Sequence, residues 1–332
     1  MLGRLKIIME LGLVRAKLGA LLFVGVQLAG ASAQAQYPTG PVKLIVGFAP
    51  SGGTDVAARI IARKLGERLG QQIVVENRAG AGGNIAAELV ARANPDGYTI
   101  LLSNVGALAV APHLYPSLPY QPQRDFAPLS LAVAFSNVVV VHSSVKAATL
   151  AEYVKLAREA PLPYGTSGVA GAGHLAGELF KSMSKTQLEH VPYKGGGPAI
   201  ADLLGGQVPS LFASSPSVLA HIKAGKIRAL AVTSKARSSF MPEVPTVAES
   251  GFPGYEALNW YGFVAPGKTP REIVERLNQS IVAALKSPDI VAELAKHGMD
   301  TIPSTMEEMA AYMARESTTW GRIVKEANIK VE

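Results

Sequence analysis

Apolar residues are arranged in two alternating ways along this chain. Short continuous runs give way to longer stretches in which apolar positions recur every three or four residues, the pattern of buried strands alternating with amphipathic helices. The first unit is the run Val42-Lys43-Leu44-Ile45-Val46, then the turn Gly47-Phe48-Ala49-Pro50-Ser51-Gly52-Gly53-Thr54-Asp55, then Val56, Ile60, Ile61, Leu65 and Leu69 on one helical face. A strand over 72–78 ends in Ala79-Gly80-Ala81-Gly82-Gly83-Asn84 and leads into a helix through Ile85, Leu89 and Val90. After the turn Asn94-Pro95-Asp96-Gly97, a third strand over 98–102 ends at Ser103-Asn104. This βαβαβ order predicts a parallel sheet covered by helices.

Residues 126–141 are extended and apolar, interrupted at Phe135-Ser136-Asn137, and read as two strands bridging two sheets. The alternation then resumes. Helices are expected over 150–160, 174–183, 198–204 and 218–224, and strands over 162–166, 188–193, 208–213 and 227–233. A return strand over 260–264 precedes a helix over 270–285. The segment Val138 to Val154 echoes Tyr261 to Val274, each a strand, a Lys-containing loop with Thr (Thr149, Thr269) at the N-cap, and a helix. The expected architecture is α/β and two-lobed, with residues 36–134 and 257–332 in one lobe and 135–256 in the other. Each lobe is a mainly parallel sheet with helices on both faces, and two crossing strands form the hinge. A ligand would lie between the lobes, outside the carboxyl ends of the parallel strands.

The N-terminus changes the picture of where this protein works. Arg15 and Lys17, the apolar stretch 18–30 and the small residues Ala31-Ser32-Ala33-Gln34-Ala35 form a secretory signal, with cleavage expected after Ala35 and Met9 an alternative start. The apolar stretch is shorter than the ~20 residues that span a bilayer, so the expectation is export to the bacterial periplasm. Cleavage lowers the formal charge from +7 to +4 by removing Arg4, Lys6, Glu10, Arg15 and Lys17. The remaining basic residues alternate with acidic ones without an aromatic-laced basic stripe, which argues against nucleic acid. With no cysteine, there is neither a disulfide nor a thiolate metal site, and the fold must rest on its core.

The candidate chemistry lies in the strand-to-helix loops. Gly52 and Gly53 clear side chains from the first, so unpaired N–H groups of the following helical turn face any anion held there. The loop Tyr164-Gly165-Thr166-Ser167-Gly168-Val169-Ala170-Gly171-Ala172-Gly173-His174 occupies the equivalent junction of the second lobe, so each loop is expected to hold a carboxylate. Other strand ends add Ser103, Asn104, Tyr193, Lys194, Gly195 and Ser214. Gly171-Ala172-Gly173-His174-Leu175-Ala176 fits a dinucleotide fingerprint, but the next strand ends at Tyr193-Lys194 without the acidic residue a ribose needs. Asp55 reads as a carboxylate stabilising its own helix in preference to a general base. For His174, ligand binding and a structural role weigh equally; Trp260 and Tyr261 read as core aromatics more readily than as cleft lining. The histidines show no metal-ligand spacing, and Ser167 lacks the G-x-S-x-G setting of a nucleophile.

Taken together, Phe48-Ala49-Pro50-Ser51-Gly52-Gly53-Thr54-Asp55, Glu76-Asn77-Arg78-Ala79-Gly80-Ala81-Gly82-Gly83, Asp96-Gly97-Tyr98-Thr99 and the glycine-rich loop ending in His174-Leu175 resemble a known family. Val191-Pro192-Tyr193-Lys194-Gly195-Gly196-Gly197, Gly225-Lys226-Ile227-Arg228-Ala229-Leu230 and Pro242-Glu243-Val244-Pro245-Thr246 extend the likeness over the mature chain. The family is that of the Bug-type solute-binding receptors of tripartite tricarboxylate transporters. The resemblance implies a periplasmic binding protein of the type II-like class that closes on a small carboxylate, needs no cofactor or metal, catalyses nothing, and as a monomer serves a membrane permease. It implies ligand contacts from the two loops, Phe48, Ala49, Ser51, Gly52, Gly53, Thr54 and Asp55 in the first and Thr166, Ser167, Gly168, Ala172 and His174 in the second, to which the strand ends read above add Ser103, Asn104, Lys194, Gly195 and Ser214. Ser51 stands where glycine is usual and is expected to add a hydroxyl; Phe212-Ala213-Ser214-Ser215 stands where Asp or Asn often follows the strand. The rival readings are an exported hydrolase or lyase using Asp55, His174 and Lys194, and a ligand sensor for a signalling partner.

Overall fold

The computed structural model describes residues 37–330; the expected signal and its cleavage point lie outside them. From Gly40 onward the described residues form one compact unit, and no helix among them is long and apolar enough to cross a membrane. The expected βαβαβ unit is present as β1 (Val42–Val46), α1 (Gly53–Leu69), β2 (Ile73–Asn77), α2 (Asn84–Ala91) and β3 (Thr99–Asn104). β1 lies between β2 and β3, parallel to both. α1 buries Ala57, Ala58, Ile61, Ala62, Leu65 and Leu69, while Val56 and Ile60 are only half-buried. Alanines that let the helix approach the sheet closely rotate the buried stripe away from the larger apolar residues.

A buried π-helical turn, Gly106–Val110, runs into α3 (Ala111–Leu114), and α4 (Pro122–Asp125) precedes β4 (Phe126–His142). The expectation of two strands here is corrected: β4 is one strand of 17 residues. Ser136 pairs with Leu258 of β9 (Leu258–Pro266), and the next residue, Asn137, pairs with Ser214 of β7 (Ser210–Ser214). The interruption seen in sequence is a change of partner, and the backbone groups stay satisfied across it. Beyond it the strand's alternating side chains serve two separate cores, Val139 and Val141 on one face and Val138 and Val140 on the other.

The second half comprises α5 (Leu150–Glu159), β5 (Leu162–Thr166), α6 (Ala172–Ser184), β6 (Leu188–Pro192), α7 (Gly196–Leu204), β7, α8 (Ser215–Lys223) and β8 (Ile227–Val232). β5 lies parallel to β6 and β7, whereas β7 and β8 run antiparallel to β4. The chain returns through 233–257 into β9, antiparallel to β3 and to the first part of β4, so the sheet reads β2-β1-β3-β9-β4-β7-β5-β6. α9 (Arg271–Leu285), α10 (Pro288–Lys296), β10 (Asp300–Thr301) and α11 (Met306–Glu326) follow β9. The echo between the halves holds for topology but not for capping. Thr149 forms a capping box with Glu152, while Thr269 lies before the N-cap Pro270 and donates its hydroxyl to Pro266 O at 2.7 Å.

Candidate functional site

Four helices begin at one cleft. The N-caps of α1, α6, α7 and α8 are Gly52, Gly171, Gly195 and Ser214, and none of them supplies a side-chain cap. By contrast, α5 and α11 are closed by capping boxes from Thr149 and Thr305. Gly52, Gly53 and Thr54 of α1, Gly173 of α6, Gly196 of α7 and Ser214 and Ser217 of α8 line a cleft of about 500 Å³, counting the space open to solvent. Among the described residues, no Lys, Arg, His, Asp or Glu lines it. What the cleft offers is therefore backbone N–H groups at the positive ends of helices, hydroxyls and amides, which together suit an anion.

Tyr261 on β9 ties the two sides together. Its ring meets Phe135 edge-on at 4.8 Å, and its hydroxyl faces the side chains of Thr54 of α1 and Ser214 of α8. Burial pushes the phenol well above its ordinary pKa, so it stays a neutral donor and acceptor. Direct contacts add to this tie. Ala49 N–H donates to Lys194 O at 3.3 Å, and Gly82 lies so close to the loop after β5 that a Cβ there would stand 2.1 Å from Val169 O.

Of the residues expected in the site, Phe48, Gly52, Gly53, Thr54, Asn104, Thr166, Ser167 and Ser214 line this cleft. Ala49 and Gly195 abut one another at its edge. Ala172 is buried at the start of α6, and Ser103 is buried on β3. Lys194 is exposed and, with Gly168, borders an adjoining space that shares Phe48 and Ser167 with the cleft. Ser51 is exposed with φ 67°, a backbone geometry that favours glycine, so its hydroxyl adds nothing to the cleft lining.

Asp55 accepts from Ser51 N–H at 3.0 Å, Asn77 Nδ2 at 2.9 Å and Arg59 Nε at 3.0 Å. Burial alone would raise its pKa, but these donors outweigh it and hold the carboxyl below its usual range. Its role is to fasten the first loop onto its own helix. None of Asp55, His174 and Lys194, the acid–base set of the hydrolase reading, lines this cleft. Sequence reasoning missed Asn137, Asn259 and Ser217, and the apolar wall of Ala199, Ile200, Leu211 and Phe212.

His174 shapes the second loop from within. Its Nδ1 accepts from Ala170 N–H at 3.1 Å, and its ring stacks on His190 with centroids 4.1 Å apart. His190 Nε2 in turn meets Thr166 Oγ1 at 2.6 Å. Burial, then the neighbouring His174 and Lys181, pushes His190 down to about 3, and burial lowers His174 as well. Both rings are neutral in the folded protein. The unfolded chain binds these protons below pH ~6.5, so folding stability is complete above that value and declines as pH falls toward the folded pKa. Chemical denaturation should find the protein about 2 kcal/mol less stable at pH 5 than at pH 7 from His190 alone. A decline undiminished in His190→Asn would assign the protons to other groups.

A family model described as the tripartite tricarboxylate transporter family receptor matches residues 57–329. The chain belongs to this family. BugT of Bordetella pertussis (strain Tohama I) is 38% identical over 299 residues, which is 89% of this chain and 92% of BugT. A Rhodopseudomonas palustris protein solved with adipate is 37% identical, with a TM-score of 0.85 over 89% of this chain and 99% of that one. MatC from the same organism, solved with bound malate, is 30% identical, with a TM-score of 0.83 over 87% of this chain and 100% of MatC. This receptor is thus a Bug-type solute-binding protein and not an enzyme.

Proposed function

We propose that this receptor captures a small carboxylate in the periplasm, between a lobe of residues 36–134 and 257–332 and a lobe of residues 135–256. As a monomer it then passes the ligand to the membrane permease of a tripartite tricarboxylate transporter. The observation that carries the reading is the convergence of four helix N-termini without side-chain caps on a cleft that lacks charged side chains. A carboxylate there accepts bonds from main-chain N–H groups near Gly53 and Gly173 and from hydroxyls such as Thr54, Ser167 and Ser214. Charge-assisted bonds of this kind contribute roughly 1.5–3 kcal/mol each. The adipate and malate bound by the two R. palustris proteins support a carboxylate ligand.

Closure follows as a population shift. Only the closed arrangement presents both lobes' donors at once, so a ligand that touches both favours it. The test is calorimetry against a panel of small mono-, di- and tricarboxylates, with mass spectrometry of what is released. Micromolar or tighter binding and release of the acid unaltered is the expected result; turnover, or binding of none of the acids, would overturn the reading.

A further inference from the structure

Two buried amides at the cleft are left half used. Asn137 sits where β4 changes partner, Asn259 sits on β9, and both line the cleft at 1% and 4% exposure. Asn259 Nδ2 donates to Asn137 Oδ1 at 3.3 Å, and Asn137 Nδ2 and Asn259 Oδ1 have no partner. Leaving a buried donor and a buried acceptor unmade is costly, and such groups are ordinarily satisfied. The main chain holds Asn137 in place, since its N–H donates to Thr233 Oγ1 at 2.9 Å and its carbonyl accepts from Thr233 N–H at 3.0 Å.

We infer that this amide pair selects the end of the ligand remote from its carboxylate, and that this end is a neutral group able to donate and accept together, a hydroxyl or a carboxamide. The inference rests on the carboxylate-receptor reading above. Its logic does not depend on which way the amides are drawn. Turning both over exchanges the roles of the two residues but again leaves one N–H donor and one oxygen acceptor without a partner, whereas turning one alone breaks the bond between them. A hydroxyl answers both free groups. A second carboxylate answers only the donor, sets its own lone pairs against an amide oxygen, and buries a negative charge where the lining supplies no cation. A methyl end answers neither group.

The test is calorimetry on the full mature protein with short straight-chain acids of equal length, ending in a methyl, a hydroxymethyl, a carboxamide or a carboxylate. The hydroxyl- or carboxamide-ended acid should bind at least about tenfold tighter than both others, as expected where a site built to hydrogen-bond a group rejects analogues lacking it. Asn137→Ala and Asn259→Ala should each erase that preference. If either variant does not fold, the ranking on the unmodified protein is itself decisive. Tightest binding of the carboxylate-ended acid, or equal affinities, overturns this inference and leaves the receptor reading standing. Binding of no acid overturns the receptor reading and this one with it.

Discussion

Gly53→Val is expected to give a folded protein that has lost its ligand. A Cβ at this position would stand 3.0 Å from Ser214 Oγ and from Tyr261 Oη and 3.4 Å from Ser217 Oγ. The two methyl groups of valine reach further, into the place where the anion would accept its bonds. They also crowd Tyr261 against the Thr54 and Ser214 side chains that it faces. The fold should tolerate the change. Gly53 is the first residue of α1, its φ is not among the left-handed values, and a β-branched residue in a helix costs under ~1 kcal/mol. Calorimetry should show affinity reduced by about 10³-fold or more, with a far-UV circular dichroism spectrum unchanged. Affinity within a few-fold of wild type would remove the start of α1 from the binding site.

Gly82→Ala should lose binding by a different route. Gly82 follows β2, outside the cleft lining, and an added Cβ would lie 2.1 Å from Val169 O and 3.2 Å from Val169 C, in the loop between β5 and α6. That overlap cannot be relieved by a side-chain rotation, because the obstacle is main chain. Gly82 also has φ 65°, which an alanine adopts at a cost of roughly 1–2 kcal/mol. The simplest relief is for the two halves to stand apart. Apparent affinity then falls in proportion to the closed fraction, by about 100-fold for a closed form disfavoured by ~2.7 kcal/mol. Small-angle scattering at a ligand concentration that just saturates the wild type should report a larger radius of gyration for the variant. Wild-type compaction together with wild-type affinity would show that closure does not require this contact. Gly106, whose Cβ would lie 2.4 Å from Ala170 O, offers the same test from the π-helical turn.

How much of this was legible in the sequence differs by the kind of interaction. Strands and helices of the βαβ units announce themselves locally, so β5 runs from Leu162 to Thr166 as the pattern predicts. β4 does not, because polar Ser136 and Asn137 look like an ending when each is in fact paired, one to β9 and the other to β7. The glycine-rich loops were readable as cleft lining because each stands between a strand and the start of a helix, where Gly52, Gly53 and Thr166 are found. Ser51 was misread because a hydroxyl in a string of letters carries no φ. Asp55 and His174 looked chemically available only because Arg59, Asn77 and His190, which occupy them, arrive from other turns and strands. Asn137 and Asn259 lie 122 positions apart, and no local motif signals a pair of amides brought together by two antiparallel strands.

The unbroken course of β4 has a mechanical consequence. Strands joined only by loops swing freely, whereas here a 17-residue ribbon passes without a break from pairing with β9 to pairing with β7 and β8. Opening must be taken up as torsion spread along that ribbon, which acts as a spring whose rest angle favours one posture and whose stiffness limits travel. Asn137 sits on the spring itself, so whatever touches its amide also loads or relaxes the element that bends.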